Sequence, residues 1–148
     1  MLFRSSPVDV EVTGLELVLR RTWREFESVV GFTWLDKAAD YRGAIVDGSF
    51  YTLNYARQRL TAAVVWHPAS SVDVRVDNSL RRQNGNPLRS SGGAQAWVTA
   101  FGVNWRPMGW HGVQLSAQVD NLWNDHFQET PAVPATPRQA SFSVMRRW

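Results

Sequence analysis

The sequence predicts an all-β protein: an antiparallel up-and-down transmembrane β-barrel segment of about seven strands, forming an incomplete barrel. Three observations predict it. Most of the chain alternates apolar and polar residues, its connections alternate short and long, and its eight tryptophans avoid the strand centres. The 148 residues suffice for one ordinary domain, and 44 % hydrophobic with 20 % charged residues excludes disorder or a fibrous repeat. No run approaches 18 apolar residues, which excludes a spanning helix. A spanning strand needs only about 9–11 residues.

Over 15–20, Leu15, Leu17 and Leu19 oppose Glu16 and Arg20. Over 24–35, Phe26, Val30, Phe32 and Trp34 share one side. Trp23, Phe26 and Val30 also fit a helix at spacings of three and four, but the β-branched and aromatic run from Val29 to Trp34 favours a strand. Over 58–66 the apolar side holds Leu60, Ala62, Val64 and Trp66. Over 72–81, Val72, Val74, Val76 and Leu80 oppose Asp73, Arg75, Asp77, Ser79 and Arg81, with Asn78 the one polar break. Trp97, Phe101, Val103 and Trp105 mark 97–105. Over 113–120, Val113, Leu115, Ala117 and Val119 alternate with Gln114, Ser116, Gln118 and Asp120 without exception. The last run sets Ala140, Phe142, Val144 and Trp148 against Gln139, Ser141, Ser143 and Arg147. All seven prolines fall between these strands, as a ladder that needs N–H donors requires.

Short connections near 21–24, 67–70 and 107–111 alternate with long ones at 36–56, 83–94 and 124–137. Outer-membrane barrels sort their loops in this way, with tight turns at one end and long loops at the other. Trp23, Trp66, Trp105, Trp110 and Trp148 then lie at the short-turn end, and Trp34, Trp97 and Trp123 at the long-loop end, none of them mid-strand. An indole suits the membrane–water boundary, having an apolar body and one N–H donor. Tryptophans used as core filler would instead sit at strand centres, which here hold Val, Leu, Ala and Phe. Glu16, Arg20, Glu25, Glu27, Arg59, Arg75, Asp77, Arg81, Gln114 and Gln118 point to the other side, the wall of a wet lumen in a large barrel. Seven strands do not close such a barrel, so a larger one is implied.

The absence of cysteine excludes disulfides and thiolate sites. The net charge of +3 is carried by scattered arginines with one lysine, Lys37, and no basic stripe, so nucleic acid is not an expected partner. The opening MLFRSSPVDVEV lacks the features of a secretory signal; either the protein stays where it is made, or the chain is part of a longer product. No catalytic motif is present, so neither an enzyme nor a cofactor is expected. His67, His111 and His126 are isolated and are read as solvated polar residues, and Glu25 with Glu27 as lumen-wall charges.

The segment VQLSAQVDNLWNDHFQETPAVPATPRQASFSVMRRW resembles the C-terminal end of TonB-dependent outer-membrane receptors. Asn121, Leu122 and Trp123 stand for that family's strand-ending triplet, followed by Asp125 and Phe127; Pro131, Pro134 and Pro137 fill the loop, Arg138 opens the last strand and Trp148 ends it. Trp123 and Trp148 replace phenylalanines, Pro137 replaces a glycine, and Arg146 stands where an apolar residue is usual. GLELVLRR, from Gly14 to Arg21, and YARQRLTAAVVWHP, from Tyr55 to Pro68, resemble earlier strands of the family, so the likeness spans nearly the whole chain.

The resemblance implies the C-terminal part of a barrel of about 22 strands around a plug that this chain does not contain. It implies a multi-pass protein of the Gram-negative outer membrane that imports a scarce ligand of the ferric siderophore, haem or cobalamin class. The implied partners are the remainder of the same receptor (plug and other strands), the TonB system, the outer-membrane assembly machinery, and the bilayer with its lipopolysaccharide. Phe142, Val144 and terminal Trp148 resemble the signal read by that machinery. Within loop 36–56, Tyr41, Arg42, Phe50 and Tyr51 are the candidate ligand contacts, since aromatic and arginine side chains suit planar anionic chelates. The alternatives are a small soluble lipocalin-like barrel that binds an apolar ligand, and a small outer-membrane barrel enzyme.

Overall fold

The computed structural model describes residues 9–43, 55–85, 92–130 and 133–148. Strands β1 (Asp9–Trp23), β2 (Phe26–Asp40), β3 (Ala56–Ala69), β4 (Val72–Gln83), β5 (Gln95–Trp105) and β6 (Val113–Asp120) follow one another as an antiparallel meander. Within the last long connection, β7 (Gln128–Thr130) and β8 (Val133–Pro134) pair only with each other, and β9 (Gln139–Arg146) completes the main sheet. That sheet has seven strands in the order β1-β2-β3-β4-β5-β6-β9 and is not closed. Among the described residues there is no helix, and nothing pairs with the outer edges of β1 and β9.

All seven expected strands are present; 113–120 is β6 to the residue, and the other bounds differ. β1 and β2 reach Asp9 and Asp40, well beyond 15–20 and 24–35. Their ladder continues through Val12↔Lys37 and Val10↔Ala39 after the apolar alternation has faded, because backbone hydrogen bonds do not require an apolar face. Trp34 consequently lies inside β2, which corrects the expectation that no tryptophan is mid-strand. The helical alternative at 20–30 is replaced by a hairpin whose turn is Arg24–Glu25, with Arg24 at φ 49°. Glu25 therefore belongs to the turn, and only Glu27 of that pair stands on a strand.

Two prolines also fall within strands. Pro68 sits where the β3–β4 register shifts between Trp66 and Ala69, and Pro134 lies in the two-residue β8; both are places where a missing N–H is tolerated. β9 begins after Arg138 and ends at Arg146, so Arg138 precedes the strand and Trp148 lies beyond it.

A single sheet layer has no interior. Among the described hydrophobic residues only Tyr55 and Ala96 are buried, and every tryptophan except Trp34 is exposed. The last strand is anchored through the β5–β6 turn, where the Arg147 N–H donates to the Gly112 carbonyl at 2.8 Å. Gly112 has φ +70°, and a Cβ there would collide with the Arg147 carbonyl oxygen. Gly112→Ala is expected to cost at least about 1–2 kcal/mol for the left-handed backbone alone. The check is faster amide exchange at Val113 and Arg147 than in the unaltered protein.

Candidate functional site

The register settles which side chains share a face, because directly opposed residues of an antiparallel pair point the same way. One row runs across all seven strands: Trp23, Phe26, Trp66, Val74, Val103, Ala117 and Phe142. Towards the long loops follow Leu19–Val30–Ala62–Asn78–Thr99 and Leu17–Phe32–Leu60–Leu80–Trp97. At the short-turn side, Val72, Trp105, Leu115 and Val144 form a further row. The alternation of each strand thus adds up to one continuous apolar face. Phe26 and Trp66 stack on it at 5.9 Å, and the Arg24 guanidinium lies 5.5 Å from the Trp23 ring.

Asn78, the polar break, is accommodated within that face. Its Oδ1 accepts the Thr99 hydroxyl at 2.7 Å and the Trp97 indole N–H at 3.4 Å, while the Trp123 indole donates to Thr99 Oγ1 at 2.7 Å. Thr99 is a residue the sequence reading passed over; only the β4–β5 register brings it beside Asn78.

The opposite face carries Glu16, Arg20, Glu27, Arg59, Arg75, Asp77, Arg81, Gln114 and Gln118 as expected, but Val18, Val29, Val65 and Val98 share it. It is mixed rather than wholly polar. Arg75 grips Asp77 through two bonds of 2.6 and 2.8 Å, and Ser116 donates to Asn104 Oδ1 at 2.6 Å. At the short-turn end, His67 Nδ1 meets Asp73 Oδ1 at 2.7 Å, and Arg106 Nη1 donates to Asp73 Oδ2 at 2.7 Å. Glu27 Oε1 stands 3.8 Å from His67 Nε2, so one polar cluster links three hairpins. The hydrogen bond to Asp73 raises the Arg106 pKa above its ordinary value. His67 is therefore not isolated. Its partners are invisible from spacing because they stand on other strands, Asp73 across the β3–β4 turn and Glu27 on β2.

At the long-loop end the triplet Asn121–Leu122–Trp123 forms a knot. Asn121 takes φ 47° and is only 4 % exposed. Its Nδ2 donates to the carbonyls of Asp125 (2.9 Å) and Thr136 (3.0 Å), and its Oδ1 accepts the Asp125 N–H (2.9 Å). Leu122 N–H donates to the Thr99 carbonyl, tying the knot to β5. Asp125 Oδ2 accepts the Trp97 N–H at 2.6 Å, and Asn124 Oδ1 accepts that of Arg138 at 2.9 Å. The Arg81 guanidinium lies 5.2 Å from the Phe127 ring.

Of the candidate ligand contacts, Phe50 and Tyr51 lie outside the described residues. Tyr41 and Arg42 directly follow β2. Arg42 directs Nε and Nη2 at Asp9 Oδ2 (3.0 and 2.7 Å), fastening the mouth of the β1–β2 hairpin. Tyr55, also in the expected loop, is a buried anchor whose hydroxyl accepts the Lys37 N–H and the Asn84 side-chain amide. Phe142 and Val144 stand on the apolar face opposite Ala117 and Leu115, and Trp148 is fully exposed. Among the described residues no group of three or more His, Cys, Asp or Glu could hold a metal ion.

No protein-family model matches the chain, and no curated protein matches it. The fold itself is an open, antiparallel sheet of seven strands with one apolar and one mixed, largely polar face.

Proposed function

We propose that these strands are the C-terminal part of the barrel of a TonB-dependent outer-membrane receptor, importing a ligand of the ferric siderophore, haem or cobalamin class. The observation that carries this reading is the continuity of the apolar face across all seven strands. From Val72 to Leu80 it extends about 27 Å along the strand, or about 20 Å in height at the tilt of known barrels, close to their apolar band of about 25 Å. Trp66 and Trp105 stand at its short-turn margin, Trp97 and Trp123 at its long-loop margin.

On this reading the free edges of β1 and β9 pair with the other strands of the same receptor, and the mixed face lines a lumen filled by its plug. The knot at Asn121 holds the external loops, and Tyr41, Arg42, Phe50 and Tyr51 contribute to the ligand mouth. Energy comes from the TonB system, and the assembly machinery reads the end of β9 and Trp148. The test is an immunoblot of separated membrane and soluble fractions with an antibody against β9 and the loop before it. The expected result is an outer-membrane band several times larger than 16.8 kDa. A soluble band at 16.8 kDa would overturn the receptor and favour a small binding barrel.

A further inference from the structure

The apolar face is not smooth. Near its long-loop margin a hollow of about 440 Å³ opens, within the range of about 300–1,000 Å³ typical of small-molecule sites. Its floor is four members of one row, Phe32, Leu60, Leu80 and Trp97, contributed by four adjacent strands. The next row toward the loops brings Gln58, Arg82 and Gln95 side by side along its rim.

Arg82 supplies the positive charge of that rim. Arg42, Arg57, Arg75 and Arg106 each hold an aspartate within 3.4 Å, whereas Arg82, like Arg21 on the same face, pairs with no carboxylate among the described residues. Asp125 also lines the hollow, but its Oδ2 accepts the Trp97 N–H. A guanidinium is a planar fork of donors that matches a phosphate in a two-bond grip, and here an amide side chain stands on either side of it. Below that fork the floor row Phe32, Leu60, Leu80 and Trp97 is apolar, with the Asp125 carboxylate beside Trp97 and Asn78 with Thr99 in the row beyond. The site is cationic at its rim and oily along that floor, which complements the anionic head and apolar chain of a phosphate-bearing lipid.

We propose that this hollow binds one phosphate-bearing lipid, its headgroup on Arg82 between Gln58 and Gln95 and an acyl chain along Phe32, Leu60, Leu80 and Trp97. The proposal rests on the membrane reading of the apolar face. It adds a specific lipid site to a surface that would otherwise contact lipid indiscriminately.

The experiment purifies the whole receptor from outer membranes in mild detergent and identifies bound masses by native mass spectrometry. It compares the unaltered protein with Arg82→Gln, and with Arg21→Gln as an arginine of the same face at the opposite end. Equal amounts of protein recovered from the membrane are used, so misfolded molecules are not scored. Arg82→Gln should lower retention of phosphate-bearing lipid about tenfold, the effect on an affinity of losing one charge-assisted contact. Arg21→Gln should leave retention unchanged. Equal retention in all three proteins would overturn the lipid site and leave the receptor reading standing. So would the release of lipid-free inorganic phosphate from the unaltered protein. Absence of the unaltered protein from the outer membrane would overturn both.

Discussion

On the proposed receptor reading, Val76→Arg is expected to destabilise the protein in a bilayer by about 2–4 kcal/mol, the range for an arginine at the bilayer midplane on the lipid side of a barrel. Val76 stands midway along the apolar part of β4, flanked on the same face by Val64 and Phe101. Neither neighbour offers a counter-charge, and the new side chain would have to cross half the band to reach water. Ala100→Arg makes the contrast: it lies on the mixed face directly opposite Asp77, and its cost should stay within about 1 kcal/mol. Urea midpoints of the whole protein in lipid vesicles, followed by tryptophan fluorescence, separate the two. A Val76→Arg protein as stable as the unaltered one would contradict a lipid-facing β4.

Asn121→Ala should have an effect of similar size by a different mechanism. Removing the buried amide leaves the carbonyls of half-buried Asp125 and exposed Thr136, and the Asp125 N–H, without their partner. Each abandoned group costs about 1–3 kcal/mol, so a total near 3 kcal/mol is expected even if water rescues part of it. Alanine is also disfavoured at φ 47°, whereas glycine is not. Asn121→Gly should therefore recover only the backbone share, about 1 kcal/mol. Limited proteolysis reads the result: cleavage between β6 and β9 should be fastest for Asn121→Ala, intermediate for Asn121→Gly and slowest for the unaltered protein. Equal cleavage rates would mean that the knot does not hold the loop.

The strands were legible because a period of two survives wherever one face is apolar, and the 113–120 run matches β6 to the residue. The upper halves of β1 and β2 were not, since Asp9, Glu11, Lys37 and Asp40 sit in a ladder that no longer borders an apolar face. Pro68 misled because a proline is excluded from a regular ladder but not from a register shift. The clusters were the least legible. His67 with Asp73 and Arg106, Thr99 with Asn78 and Trp123, and Arg82 between Gln58 and Gln95 are all made across strands. Spacing along one strand does not encode them. Asn121 was found only through a family likeness, and its hydrogen bonds give that position a physical reason.

Every strand of the main sheet adjoins the strand nearest to it in the chain, apart from the short β7–β8 excursion between β6 and β9. Contact order is therefore low for a β protein of this width. The entropy of closing a loop grows only with the logarithm of its length, so each hairpin can form before the next is made and none must wait for a distant partner. Growth of such a sheet is a zipper. At every stage it offers a ready edge to the next strand, so a chain delivered end-first can fold in the order in which it arrives.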